Sequence, residues 1–182
     1  MPEWDDREIL QGIKTPGKEE IAFNRLVQNY QERLYWHIRK IVIVHDDADD
    51  VLQNTLVKVW KSLQNFRSDS GLYTWLYRIA TNEALTFLKQ KKKRAFASWT
   101  EVEHKMSEIL ESDPWFNGDE IQLKLQQAIL KLPDKQRIVF NMKYFDEVKY
   151  EDMSVILNTS VGALKASYHH AVKKIEAMLG ED

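Results

Sequence analysis

The sequence predicts an all-α protein of two small helical domains: a three-to-four-helix bundle, an acidic linker and a helix-turn-helix. Three observations lead there. Apolar residues recur at three- and four-residue steps along most of the chain, with no alternating strand and no hairpin signal. Helix breakers are scarce, six Gly and four Pro in 182 residues. One acidic, weakly periodic stretch interrupts the pattern. The expected boundaries are 1–95, 96–118 and 119–182.

A turn at Thr15-Pro16-Gly17 precedes a first helix from about Lys18 to Val44. Ile21, Phe23, Leu26, Val27, Tyr30, Leu34 and Ile38 form its broad apolar face. Asp46 and Asp47 stand where an N-cap belongs, since carboxylates satisfy free backbone N–H groups. The second helix then runs to about Phe66, with Val51, Leu52, Leu56, Val59, Trp60 and Leu63 at core spacing. Asn65 to Gly71 is a polar loop. A third helix, about Leu72 to Lys93, carries Leu72, Trp75, Leu76, Ile79, Ala80, Leu85 and Leu88, and ends in cations that suit a helix C-terminus. Beyond the linker four short helices are expected: Asp119 to Leu132, Asp134 to Tyr144, Tyr150 to Leu157 and Val161 to Leu179.

Composition narrows the class. Hydrophobic residues make up 43 % and charged residues 30 %, which fits a packed globular chain. The absence of cysteine excludes disulfides and thiolate metal sites and fits a reducing cytosol. Met1 to Leu10 mixes acidic and apolar residues without a basic start and apolar run, so no signal peptide is expected. No stretch approaches the ~20 apolar residues of a membrane span, so no membrane insertion is expected.

The net charge of −2 argues against a generic nucleic-acid binder, but it hides an asymmetry. From Arg67 to Arg94 seven basic residues face two acidic ones. From Ser98 to Asp119 one basic residue faces six acidic ones.

The chain's last part reads as a helix-turn-helix. Met153, Ile156 and Leu157 form the inner face of a short helix. Asn158 tolerates the left-handed conformation that ends helices, and Ser160 is placed to cap the next. In that helix Val161, Leu164, Tyr168, Val172, Ile175 and Leu179 form an apolar stripe. Lys165, His169, His170, Lys173 and Lys174 lie opposite, suited to base edges and phosphates in a major groove. A plain helical hairpin with a solvated face has the same spacing. Adjacent histidines diverge by about 100° on a helix, which makes a poor chelate.

In the first domain, the second helix presents Asp49, Asp50, Gln53, Asn54 and Lys58. The third mixes Tyr73, Trp75, Tyr77, Arg78, Phe87, Lys89 and Lys91, an aromatic and cationic pattern suited to unpaired bases and their backbone. A solvated face, and aromatics in the core, are the structural readings of these features. For Trp75 the core is preferred.

The segments DADDVLQNTLVKVW (Asp47 to Trp60), Phe66-Arg67 and TWLYRIATN (Thr74 to Asn82) resemble the second conserved region of extracytoplasmic-function sigma factors. The segments LPDKQR (Leu132 to Arg137), Tyr150-Glu151-Asp152 and SVGALK (Ser160 to Lys165) resemble their fourth region. The resemblance implies a non-enzymatic cytoplasmic subunit, without cofactor, that directs core RNA polymerase to promoters. It implies that Asp49, Asp50, Gln53, Asn54 and Lys58 dock on the polymerase clamp helices. Phe66, Arg67, Ser68, Asp69 and Ser70 would capture a base flipped from the non-template strand of the minus-ten element. Arg78, Asn82 and Lys89 would hold the melted strand and its upstream duplex. Ser160, Gly162, Lys165, Ala166, His169, His170 and Lys173 would read the minus-thirty-five element, while the fourth region binds the polymerase flap. An anti-sigma factor is the implied regulator, and the acidic linker resembles the tether that threads toward the RNA channel.

The sequence departs from the family pattern in places. Asn54 replaces a usual Glu, Leu72 a usual Phe and Thr86 a common Asp. Lys149 replaces a frequent capping Ser, worth about 1 kcal/mol of helix start. His169-His170 stand where arginine or bulky residues are common. Two other classes fit parts of the chain. A stand-alone helix-turn-helix regulator leaves the match from Asp47 to Asn82 unexplained. A metal-dependent phosphohydrolase built on His37, His45 and Asp46 lacks a distant His-Asp set to complete a shell.

Overall fold

The structure is a computed structural model and describes residues 5–95 and 120–180. The expected linker, 96–118, lies outside the described residues. Eight α-helices and no strand occur among them. The chain divides into two compact units, Met1–Phe87 and Leu88–Asp182.

Helix α1, Asp6–Ile13, is absent from the sequence-based expectation. Asp5 caps it, its carboxylate accepting from the Arg7 N–H at 3.3 Å. An isolated eight-residue helix is unstable in water, so packing must hold it. Ile9 and Ile13 are buried, and the Tyr30 hydroxyl donates to Asp6 Oδ1 at 2.6 Å. Gly12 permits the close approach to α2: a Cβ there would lie 2.7 Å from Ala22 Cβ.

Helix α2, Glu19–Val42, buries Ala22, Leu26, Tyr30, Leu34, Ile38, Ile41 and Val42. Ile21, expected inward, is 58 % exposed, because four-residue steps from Ala22 define the buried face. The chain then reverses at Ile43, which adopts φ 70°, ψ −42°. The Val44 N–H donates to Val42 O at 2.9 Å, closing the rare, strained form of γ-turn. A β-branched residue there costs about 1–3 kcal/mol, offset by burial of its side chain.

Helix α3, His45–Leu63, buries Ala48, Val51, Thr55, Val59 and Leu63. Thr55 tolerates burial because its hydroxyl donates to Val51 O at 2.7 Å. Trp60, expected in the core, is 43 % exposed and meets Phe23 edge-on at 4.9 Å. Asp46 and Asp47 do not cap; Val44 holds the N-cap position, and the two carboxylates lie in the first turn, where the free N–H groups favour negative charge.

Helix α4, Leu72–Ala95, buries Leu72, Leu76, Tyr77, Ala80, Ala84 and Leu88. A buried polar pair joins it to α2. The Thr81 hydroxyl donates to Tyr77 O at 2.7 Å, a carbonyl that can only accept. Toward His37 Nε2, 2.8 Å away, the same oxygen therefore accepts, so Nε2 carries a proton. His37 also lies 4.5 Å from the Tyr77 ring.

The second unit contains α5 (Glu120–Leu130), α6 (Asp134–Tyr144), α7 (Tyr150–Leu157) and α8 (Val161–Gly180). Ala128, Ile129, Leu132, Phe140, Ala171 and Ile175 form its core. Arg137, from the LPDKQR segment, is fully buried and ties the end of α5 to the start of α6. Its guanidinium donates to Leu130 O at 3.4 Å and to Asp134 Oδ1 at 3.1 Å. Asn158 ends α7 at φ 49°, ψ 50°, the expected left-handed stop. Ser160 Oγ accepts from the Ala163 N–H at 3.3 Å, the expected cap of α8. Met178 joins the α8 core stripe in place of the expected Leu179, which is 38 % exposed.

Two substitutions test this packing. Thr81→Val removes the acceptor used by His37 Nε2–H and is expected to cost about 1–3 kcal/mol in urea unfolding. Gly12→Ala would gain up to about 1 kcal/mol on an open helix. Against Ala22 it is expected instead to destabilise the chain by about 1–3 kcal/mol, read as a lower thermal midpoint.

Candidate nucleic-acid interface

Among the described residues, the expected site residues lie mainly on the outward faces of three helices whose inward faces are buried. On α3, Asp50, Gln53 and Asn54 are exposed and Asp49 is half-buried. Asp49 is held from within its own helix: His45 Nε2 lies 3.5 Å from its Oδ2. His45 is held in turn by the Tyr35 hydroxyl, 2.6 Å from Nδ1. His45 thus faces Tyr35 and Asp49, while His37 sits in the core against Thr81.

Lys58 is not turned outward alone. Its ammonium pairs with Glu83 of α4, whose side chain is 16 % exposed. It therefore clips α3 to α4, a role that spacing along one helix could not reveal. Val57, 51 % exposed, and Trp60 add apolar area to the same α3 face. They follow Gln53 and Asn54 at helical steps, a signal available in the sequence but read there as core for Trp60.

The loop between α3 and α4 is pinned at one end and open beyond it. Phe66 is only 7 % exposed, its ring 5.1 Å from Trp75, and its N–H donates to Leu63 O. Arg67, Ser68 and Asp69 are exposed and Ser70 is half-buried. Ser68 has φ 59°, so the loop turns sharply there. Phe66 acts as the anchor, leaving Arg67, Ser68 and Asp69 open to solvent.

On α4, Arg78, Asn82 and Lys89 are exposed at steps that share one face. The aromatics expected beside them divide differently. Tyr77 is 3 % exposed and donates to Arg33 O at 3.4 Å, so it is core and not a stacking platform. Tyr73 packs on Tyr77 at 4.2 Å with the Arg33 guanidinium 5.4 Å from its ring. Trp75, expected in the core, is only half-buried, its ring packing on Phe66 at the start of the loop.

On α8 every candidate position, Ser160, Gly162, Lys165, Ala166, His169, His170 and Lys173, is exposed. A Cβ at Gly162 would meet nothing within 4 Å, so the first turn is unobstructed. The His169 and His170 rings lie 6.1 Å apart and diverge. Tyr150, which sequence reasoning quoted only within a motif, lies beside this face. Lys143 and Lys165 both approach its ring, at 5.1 and 5.7 Å from the centroid.

Residues 26–94 match the family model Sigma-70 region 2, and residues 122–175 match Sigma-70, region 4. The RNA polymerase sigma-H factor of Pseudomonas aeruginosa is 30 % identical over 182 residues, covering 96 % of this chain and 93 % of that protein. The ECF RNA polymerase sigma-E factor of Escherichia coli K12 is 29 % identical over 163 residues, with 85 % of each chain covered. The structure of CnrH in complex with the cytosolic domain of CnrY superposes with a TM-score of 0.69 at 23 % identity, covering 97 % of this chain and 98 % of that one. The sigma factor RpoE in complex with the anti-sigma factor NepR from Bartonella quintana superposes at 0.66 and 23 % identity, covering 88 % and 98 %. The chain belongs to the sigma-70 family of RNA polymerase sigma factors, in its extracytoplasmic-function group, and directs RNA polymerase to promoters.

Proposed function

We propose that the three outward faces divide the work of initiation among themselves. The observation that carries this reading is their freedom from core packing: residues that hold the fold lie on the opposite side of α3, α4 and α8. Residues 1–95 form the domain that docks on polymerase and opens the minus-ten element. Residues 119–182 read the minus-thirty-five element, and 96–118 tether the two.

Asp49, Asp50, Gln53 and Asn54 meet the polymerase clamp helices, with His45 and Tyr35 orienting the Asp49 carboxylate. Lys58 contributes by fixing α3 against α4. Arg67, Ser68, Asp69 and Ser70, anchored by Phe66, capture the flipped base. Arg78, Asn82 and Lys89 follow the melted strand and its upstream duplex. Ser160, Gly162, Lys165, Ala166, His169, His170 and Lys173 read duplex DNA, and the same domain binds the flap.

Each surface is small, and net charge is acidic, so the free chain binds DNA weakly. On core polymerase both domains are held near one promoter, and effective concentration makes two weak sites act as one strong one. Holding an extruded base then stabilises local melting, as base-flipping proteins do by trapping an unstacked nucleotide. No bond is made or broken by the chain. It works in the cytoplasm beside its polymerase. An anti-sigma factor that covers the α3 and α4 faces is the fitting inhibitor, because it competes with polymerase and DNA at once.

Transcription from a promoter library by bacterial core polymerase, with and without the chain, tests the whole reading. New start sites sharing a two-part upstream motif are expected; unchanged start sites alongside tight duplex binding by the chain alone would overturn it. Asp50→Arg reverses charge within the α3 face and is expected to weaken core polymerase binding at least about tenfold. Equal affinity in a core-binding titration would remove the clamp assignment.

A further inference from the structure

We infer that Tyr150 is a positioning residue for promoter contact: its ring gathers the Lys143 and Lys165 ammonium groups beside the recognition helix, where together they grip DNA backbone phosphates. The inference rests on α8 reading duplex DNA and names a device that this reading does not contain.

The three side chains come from three helices. Lys143 lies in the last turn of α6, Tyr150 is the first residue of α7, and Lys165 lies near the start of α8. Both ammonium groups fall within the ~6 Å at which an aromatic face attracts a cation. Neither lysine enters an ion pair with a carboxylate among the described residues. Two such cations near one another repel, and each long side chain resists being fixed. A shared ring opposes both effects. It holds the charges without neutralising them, which a carboxylate would do. The surplus positive charge is then available to an anion, and DNA phosphates are the anions that α8 meets.

Tyr150 is itself well placed to stay put. Burial first, and Tyr168 second, push its hydroxyl above the ordinary tyrosine range, so the ring stays neutral at physiological pH. Tyr168 packs on Phe140 of the core, with ring centroids 5.8 Å apart. Tyr150, the first residue of α7, is itself half-buried.

Phosphate contacts show in the salt dependence of binding, with a slope of about 0.9 per phosphate in a plot of log affinity against log salt. The test uses the full chain on core polymerase and the promoter returned by the library, titrated across a range of KCl. Tyr150→Phe keeps the ring and is expected to keep both affinity and slope. Tyr150→Leu is expected to weaken binding roughly five- to tenfold and to flatten the slope by about one to two units, since one or two phosphates are released. Lys165→Met is expected to share that loss, so the double variant should fall short of the product of the single effects. An unchanged slope in Tyr150→Leu, or effects that simply multiply, would overturn the inference while leaving the α8 reading intact. If Lys165→Met alone changes nothing, the α8 reading falls and the inference with it. Should Tyr150→Leu fail to fold, the Lys143→Met and Lys165→Met pair decides the matter: coupled losses support the shared ring, and strictly independent ones exclude it.

Discussion

Every surface described above exists because a helix can present one face only when the other is held. In the first unit the holding is done by an apolar spine along α2 and by a buried polar link, His37 to Thr81, beside the Tyr77 hydrogen bond to the Arg33 carbonyl. The link matters out of proportion to its size. Apolar packing fixes that α2 and α4 touch; the hydrogen bond, with its single allowed donor direction, fixes their register. The outward row Arg78, Asn82 and Lys89 inherits its direction from that register. The Lys58–Glu83 pair does similar work between α3 and α4, nearer the solvent and so with less force. In the second unit the buried Arg137 fills the corresponding place, tying the end of one helix to the start of the next.

Much of this was legible in the sequence, and the failures have physical causes. Helices α2 to α8 were legible because each carries several apolar residues at helical steps. Helix α1 was not. It has two buried residues, and what holds it is tertiary: a tyrosine hydroxyl from α2 and the approach that Gly12 permits. Ile21, Trp60 and Leu179 were assigned inward because they are apolar. Periodicity tolerates an error of one position: Ala22 and Met178 took the inner places expected of Ile21 and Leu179, while Val59, expected inward beside Trp60, held that place by itself. Asp46 and Asp47 were read as caps because they are acidic at a helix start, whereas Val44 holds that position and the two carboxylates sit just inside it, in the first turn, where the dipole favours them.

The candidate surfaces divide in the same way. Exposure of the α8 residues follows from the stripe opposite them, so spacing was enough. Lys58, Phe66 and Tyr77 could not be read so. A lysine on a polar face, an aromatic after a helix and a tyrosine among cations all suggest a ligand. Their partners, Glu83, Trp75, His37 and Arg33, lie elsewhere in the chain, up to 44 residues away in the case of Tyr77 and the Arg33 carbonyl. Local spacing carries no information about such pairings. The ring that collects Lys143 and Lys165 belongs to the same class, since it depends on three helices meeting.

The exposed row on α8 has a consequence for how such proteins diversify. Apart from the Ser160 cap, its side chains contribute little to holding the helix in place, so most exchanges there leave folding nearly untouched. A duplicated gene could alter these positions one at a time and stay soluble while its preferred sequence drifted, separating two regulatory circuits that began as one. Lys165 is the exception, tied through Tyr150 to Lys143. On the proposed reading of α8, divergence would be quick at the histidines and slow at that lysine, leaving a fixed grip on the backbone beneath a changeable vocabulary.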